Sequence, residues 1–337
     1  MPRWERLRPR GRLALALLAV AAISIVALPL GAQRLRRSET NVAPKPAPIN
    51  GERAYGYLKA ICAIGPRPAG SAANTRQREM VAKHFRDHGA TVREQPFTGQ
   101  DPRSGARVDM VNLIGSWNPD RAQRVLLGAH YDTRPFPDED PDPANRTKPF
   151  IGANDGASGV ALLMEIAHHL NDLPTAWGVD LVLFDGEEIV YGRGQVQEGE
   201  YFLGSKEFAR LYDRSVAAGR TKTRYAGALV LDMIGDRDLQ IDQEENSLSL
   251  HPGLVREVWT VARRLNAPAF RNRVGRAVLD DHLPLNNVGI PAIDLIDFDY
   301  PYWHTAQDVP ENCSAASLEQ VGRVVTGWLT LNRARGR

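Results

Sequence analysis

Val179-Asp-Leu-Val-Leu-Phe-Asp185 runs directly into Gly186-Glu187-Glu188. The seven-residue run is short, apolar and rich in Val and Leu, which is how a strand buried on both faces reads. Ending it on Gly lets the backbone turn, and two consecutive side chains on a turn can point to different targets. One acid can then bind a metal while the other faces a bound water or substrate as a base. Acids after a buried strand are commonly solvated loop residues, so this pair gains its weight from similar residues placed elsewhere.

Those residues are present. His130 and Asp132 follow the run Arg124 to Ala129, Asp155 lies in Gly152-Ala-Asn-Asp-Gly-Ala-Ser-Gly159, Asp232 lies in the run 228–235, and His304 comes shortly after the run 291–298. Each sits at or near the end of a segment that reads as a buried strand. In open α/β sheets the carboxyl ends of parallel strands line the ligand crevice, so residues spanning more than half the chain converge. A set of imidazole and carboxylate donors without Cys suits Zn²⁺ in a catalytic site that keeps one position open.

Working outward, the pattern predicts strands at 90–97, 109–115, 125–129, 179–185, 228–234 and 291–298. Helical spacing covers 52–64, 73–88, 160–170, 205–211, 254–265 and 316–331. Strands alternating with helices argue an α/β fold with a mostly parallel sheet covered on both faces. Asp155 precedes a helix, so a helix cap competes with the metal reading. A phosphate cradle is the third option, but that loop holds no Lys or Arg to pair with one. His168 and His169 read as surface or satisfied helix residues, and the spacing from Glu165 to His169 is no zinc motif.

The N-terminus is a separate unit. Residues 1–12 carry five Arg and one Glu, and the uncharged stretch 13–32 is mostly Leu, Ala, Val and Ile. That is a signal peptide or an N-terminal membrane anchor over 1–32, with the basic flank cytoplasmic and the rest exported, periplasmic or extracellular. Residues 33–50 read as a Pro-rich tether, leaving 51–334 as one catalytic domain. Residues 1–37 hold eight Arg and one Glu and supply +7 of a formal net charge of +2, so the remaining 300 residues carry −5. An acidic domain without a basic patch excludes nucleic acid as partner. The two cysteines, Cys62 and Cys313, allow either one disulfide or two unconnected thiols.

The motifs together carry a resemblance. His130-Tyr-Asp132, Gly152-Ala-Asn-Asp155, Gly186-Glu187-Glu188, Leu231-Asp232 and His304-Thr305 resemble the exported zinc aminopeptidases with co-catalytic metals. Phe184-Asp-Gly-Glu-Glu188, Gly204-Ser205, Leu279-Asp280-Asp281-His282 and Trp303 before His304 make the chain still more similar to the glutaminyl-peptide cyclotransferases of the same fold. The resemblance implies a three-layer α/β/α sandwich around a mostly parallel mixed sheet. It implies that Asp155, Glu188 and His304 hold one Zn²⁺, and that Glu187 shuttles a proton with Asp232 and Asp280 around it. The expected reaction closes an N-terminal Gln of a peptide or protein to pyroglutamate with loss of ammonia.

Two other readings stay open at this stage. An aminopeptidase would use His130, Asp155 and Asp232 for a second zinc. A scaffold that kept the fold without the chemistry would be expected to have lost a ligand or the base, and none is missing. Trp303, with Tyr300 and Tyr302 beside it, is expected to wall the substrate pocket, and Tyr191 is a weaker candidate. Oligomeric state is not legible.

Overall fold

The computed structural model describes residues 44–193 and 196–331. The basic flank, the apolar run and most of the expected tether lie outside them. Among the described residues no helix is long and apolar enough to cross a membrane.

The strands are β1 (Thr91–Gln100), β2 (Arg107–Trp117), β3 (Gln123–His130), β4 (Gly178–Phe184), β5 (Val190–Arg193), β6 (Val196–Gly199), β7 (Arg224–Asp232), β8 (Ile241–Gln243), β9 (Phe270–Val274) and β10 (Ala292–Ile296). The helices are α1 (Gly51–Cys62), α2 (Ala72–Asp87), α3 (Ala157–Ala167), α4 (Leu203–Ala217), α5 (Glu245–Leu250), α6 (Pro252–Arg264), α7 (His282–Asn287) and α8 (Ala315–Leu331). All six strands expected from the sequence join one sheet in the order β1-β2-β4-β3-β7-β10. β4, β3, β7 and β10 are mutually parallel, whereas β2 runs antiparallel to both β1 and β4, so the sheet is mixed.

The continuous apolar runs are explained by cover on both faces. Along β4, Leu181 and Leu183 pack into a core with α1, α2, α3, α6 and α8, while Val182 and Phe184 turn to the opposite face. β3 and β7 alternate in the same way, through Leu126 against Leu127 and Val230 against Leu231. Helices α4 and α7 cover that second face through Phe208 and Leu285. All seven residues of β4 are buried. One of them is an acid, Asp180, and its charge is answered by Arg124 at 2.6 Å, with Ser116 and Tyr225 hydroxyls donating at 2.5 and 2.7 Å.

Several details differ from the sequence reading. The segment after Glu188 forms the antiparallel pair β5–β6. Short elements α5, α7, β8 and β9 carry too few residues to show a period. The last residues of the expected tether are pinned: the Lys45 and Ala47 amides donate to the Thr330 and Thr326 hydroxyls of α8, and Asn50 caps α1. Polar anchors on a buried helix hold that stretch where composition alone suggests a loose linker. Cys62 and Cys313 are both buried and free.

Candidate active site

The carboxyl ends of β3, β4, β7 and β10 deliver the expected side chains to one place. His130 is the last residue of β3 and Asp232 the last of β7. Glu187 and Glu188 follow β4 after a turn at Gly186, whose φ of 68° is the left-handed conformation that glycine adopts without strain. Asp155 comes from the loop before α3, and His304 from the turn after β10.

Asp155 is the hinge of the cluster. One carboxylate oxygen is 3.2 Å from His130 Nε2 and the other 3.3 Å from His304 Nε2. His304 Nε2 is also 2.7 Å from Glu188, and His130 Nε2 is 3.2 Å from Asp232. Two donor sets therefore share Asp155: Asp155, Glu188 and His304 offer ligand atoms within 4.8 Å of one another, and so do His130, Asp155 and Asp232. The cap reading of Asp155 fails, because α3 starts from Gly156 with no side-chain cap. Its carboxylate is spent between two imidazoles, which also leaves no anion cradle in that loop.

Backbone anchors fix these side chains. Asp132 is not in either donor set; its two oxygens accept the Glu187 and Glu188 amides, both at 3.0 Å, and so hold the turn. Asp308, which sequence reasoning missed, accepts the amides of Asn154 and Asp155 at 2.7 and 3.1 Å. The only trace of it in the sequence is an acid four residues beyond His304. The Arg134 amide donates to Glu188 at 2.8 Å.

Burial governs the electrostatics. It pushes the Glu187 carboxyl well above the usual carboxylate range; His130 pulls the other way, and the Glu188, Asp281 and Asp280 charges add to the rise. Asp280 is raised strongly by burial and by the Asp232 and Asp281 charges, and Asp281 reaches about 7 although Ser205 donates to it at 2.5 Å. Asp155 goes the opposite way: burial would raise it, but its two histidines hold it below the ordinary value. So many buried acids ask for a cation. The residues fit one: Asp155, Glu188 and His304 are each at most 3% exposed, and their N and O donor set is one that zinc takes.

Beside the cluster opens a cavity of about 260 Å³ lined by Asp155, Glu187, Glu188, Asp232, Asp280 and His304 on its polar side. Leu279, Ile296, Phe298 and Trp303 form its apolar side, with Tyr201 and Phe202. Tyr300 is not in that wall: it is buried and its hydroxyl donates to Asp308 at 2.9 Å. Tyr191 likewise donates to Asp101, at 2.7 Å. Phe202 was not singled out by pattern, since isolated apolar residues in loops look alike until the chain is folded; Leu279 entered only with its motif and Phe298 only as the end of the run 291–298.

A sequence model of peptidase family M28 matches residues 112–329. The chain belongs to peptidase family M28. Its fold is similar to the crystal structure of the Fimbriiglobus ruber glutaminyl cyclase, with TM-score 0.82 and 43% identity over 85% of this chain and 97% of that one. It is also similar to a Zn-dependent exopeptidase from Parabacteroides distasonis, with TM-score 0.77 and 31% identity over 85% of this chain and 99% of that one. Among curated sequences, the glutaminyl-peptide cyclotransferase-like protein of Bos taurus is 24% identical over 81% of this chain and 73% of its own length. The M28 assignment agrees with the mixed sheet and with candidate metal donors at its carboxyl edge.

Proposed function

We propose that this M28 member is a glutaminyl cyclase, converting an N-terminal glutaminyl residue of a peptide or protein to pyroglutamyl with release of ammonia. The observation that carries the reading is the pocket itself: a buried acid, Glu187, beside a three-residue donor set, under an aromatic wall. Its volume is small for a ligand site, which suits one terminal residue rather than an extended peptide. Similarity to a glutaminyl cyclase over 97% of that protein supports the same choice.

Asp155, Glu188 and His304 would hold Zn²⁺, which when bound supplies a Lewis acid for the γ-carboxamide carbonyl. In the reaction the substrate's α-amine attacks its own γ-carbonyl carbon; one C–N bond forms, the bond to the amide nitrogen breaks, and no water is consumed. Glu187 takes a proton from the amine and returns one to the departing ammonia, which is base and then acid work at one carboxyl. Burial raises its affinity for that proton. Asp232 and Asp280 line the same cavity, and Asp280 adds to Glu188 and Asp281 in holding Glu187 high. Nucleophile and electrophile are already tethered, so orientation supplies much of the rate. Trp303, Phe298, Ile296 and Leu279 cover the terminal residue and keep water from competing.

One observation favours a second reading. The set His130, Asp155 and Asp232 would hold a further zinc, as an aminopeptidase requires. Offering the full chain a Gln-initiated peptide and an unblocked Leu-amide separates the two. Ammonia and the matching mass loss from the first, with the second intact, is the expected result. Cleavage of the Leu-amide without cyclisation makes the chain an aminopeptidase.

The basic flank and apolar run of residues 1–32 support export of the domain, with or without retention at the membrane. Cell fractionation with N-terminal sequencing of the recovered protein tests this, and recovery of uncleaved protein in the cytosol would overturn it.

A further inference from the structure

At the opposite end of α3 from Asp155, three imidazoles from two helices meet. His84 lies in the last turn of α2, His88 caps that helix, and His168 caps α3. Each ring offers a nitrogen within 4.8 Å of the other two. The ring centroids are 4.3 Å apart for His84 and His88, 4.0 Å for His88 and His168, and 5.2 Å for His84 and His168. All three are half-buried.

One nitrogen of each ring is already engaged. His84 Nε2 is 2.8 Å from the Met164 carbonyl oxygen, and His88 Nδ1 is 2.8 Å from the His84 carbonyl oxygen. A carbonyl only accepts, so these two nitrogens carry the protons, and the lone pairs fall on His84 Nδ1 and His88 Nε2. His168 Nε2 is 2.6 Å from the Tyr57 hydroxyl, which can accept from it and leave the Nδ1 lone pair. A ring donating one N–H to a backbone or side-chain oxygen while its other nitrogen stays open is how metal-binding histidines are held. Burial, helped by Arg53 and the neighbouring imidazoles, lowers His168 to about 4, and burial also lowers His84. Arg53 itself is neutralised by Glu165, which it meets at 2.6 and 2.8 Å.

We propose that His84, His88 and His168 form a metal site separate from the M28 centre, taking a borderline divalent cation, Zn²⁺ or Cu²⁺, and clipping the end of α2 to the end of α3. Three neutral nitrogens with no carboxylate among them select such ions over Mg²⁺ or Ca²⁺. The eleven residues of α3 put about 16 Å of helix between the two sites. An ion bound here therefore touches neither the substrate pocket nor its ligands. The site was invisible in sequence because 79 residues of intervening chain separate His88 from His168, and because His168 beside His169 reads as helix surface.

The test uses tag-free full-length protein. After dialysis against Zn²⁺, the wild type is expected to hold one more zinc per chain than the variant carrying His84→Ala with His88→Ala. Glu188→Gln, which alters the candidate active site, should retain that extra ion. Cu²⁺ added to the zinc-loaded wild type should give an electron paramagnetic resonance spectrum with imidazole-nitrogen coupling and should raise Tm. Tyr57→Phe should weaken this Cu²⁺ by about 10-fold without abolishing it. Equal zinc content in wild type and double variant overturns the proposal. If the double variant does not fold, the wild-type Cu²⁺ spectrum decides, and absence of nitrogen coupling overturns it.

Discussion

The indole of Trp303 stacks on the imidazole of His304, with ring centroids 3.8 Å apart and planes inclined by 25°. Neighbouring side chains on an extended segment point to opposite sides, and the stack exists because this segment is a turn. His304 has φ of 53°, a conformation costly for a residue with a Cβ. Trp303 also packs on Phe298, 5.4 Å away, so the ring forms wall and buttress at once. Trp303→Ala should keep bound zinc, since no donor is removed, and lose about 10- to 100-fold in kcat/KM for Gln peptides, as expected for about 1.5–3 kcal/mol of apolar contact. Trp303→Phe should recover part of it. Unchanged kinetics in the Ala variant would reduce the ring to packing.

The adjacent acids should separate cleanly. Glu187→Gln removes the proton carrier and should lower kcat by roughly 10²- to 10⁴-fold with zinc content intact. Glu188→Gln should instead lower zinc affinity, with activity returning as zinc is raised. Metal analysis alongside kinetics reads both, and full activity with full zinc in both variants would remove the pair from the chemistry.

Asp132→Asn tests the clamp beneath that pair. An amide has one acceptor oxygen where the carboxylate has two, so its NH₂ would face the amide of Glu187 or Glu188 at 3.0 Å. Leaving a buried donor unpaired costs about 1–3 kcal/mol. The expected outcome is a lowered Tm together with lowered zinc affinity, although Asp132 stands outside both ligand sets. A variant with native Tm and native zinc binding would mean the turn holds without it.

What the sequence disclosed follows from which signals are local. Strands such as 179–185 were legible because burial on both faces demands a mostly apolar run, here broken only by Asp180 before its closing Asp185. The candidate donors His130, Asp232 and Glu188 were legible because they end or closely follow those runs. Asp308, Asp132's role and Phe202's place in the apolar wall were not, since each acts through partners distant in sequence. Tyr300 failed as a wall residue for a related reason: proximity to His304 in sequence does not say which side of a turn a ring occupies, and its hydroxyl found Asp308 instead. The anchoring of Lys45 and Ala47 was not legible because their partners, Thr330 and Thr326, lie at the far end of the chain.

The free cysteines have a chemical signature. Burial pushes the Cys62 thiol up to about 12 and raises Cys313 further. Only the thiolate reacts, so native protein at pH 8 should take up alkylating reagent very slowly. After denaturation without reductant, mass analysis should find both thiols labelled. Failure to label either would establish a disulfide between them.

Acid stability should depend on Glu165, which is fully buried on α3. Burial alone would raise its pKa, but hydrogen bonds from His169, Arg53 and the Asn50 amide reverse that and bring it down to about 2. A carboxyl whose folded pKa is depressed stabilises the fold fully above its unfolded value, about 4.3, and loses that contribution as pH falls through about 2. Arg53 is 37% exposed, so water screens part of the pairing; the contribution is about 1–3 kcal/mol. Glu165→Gln cannot ionise and should be less stable than wild type by that amount at pH 7. The gap should close as pH is lowered from 5 towards 2 in urea unfolding experiments. A gap that stays constant over that range would mean the residue contributes packing and hydrogen bonds but no charge.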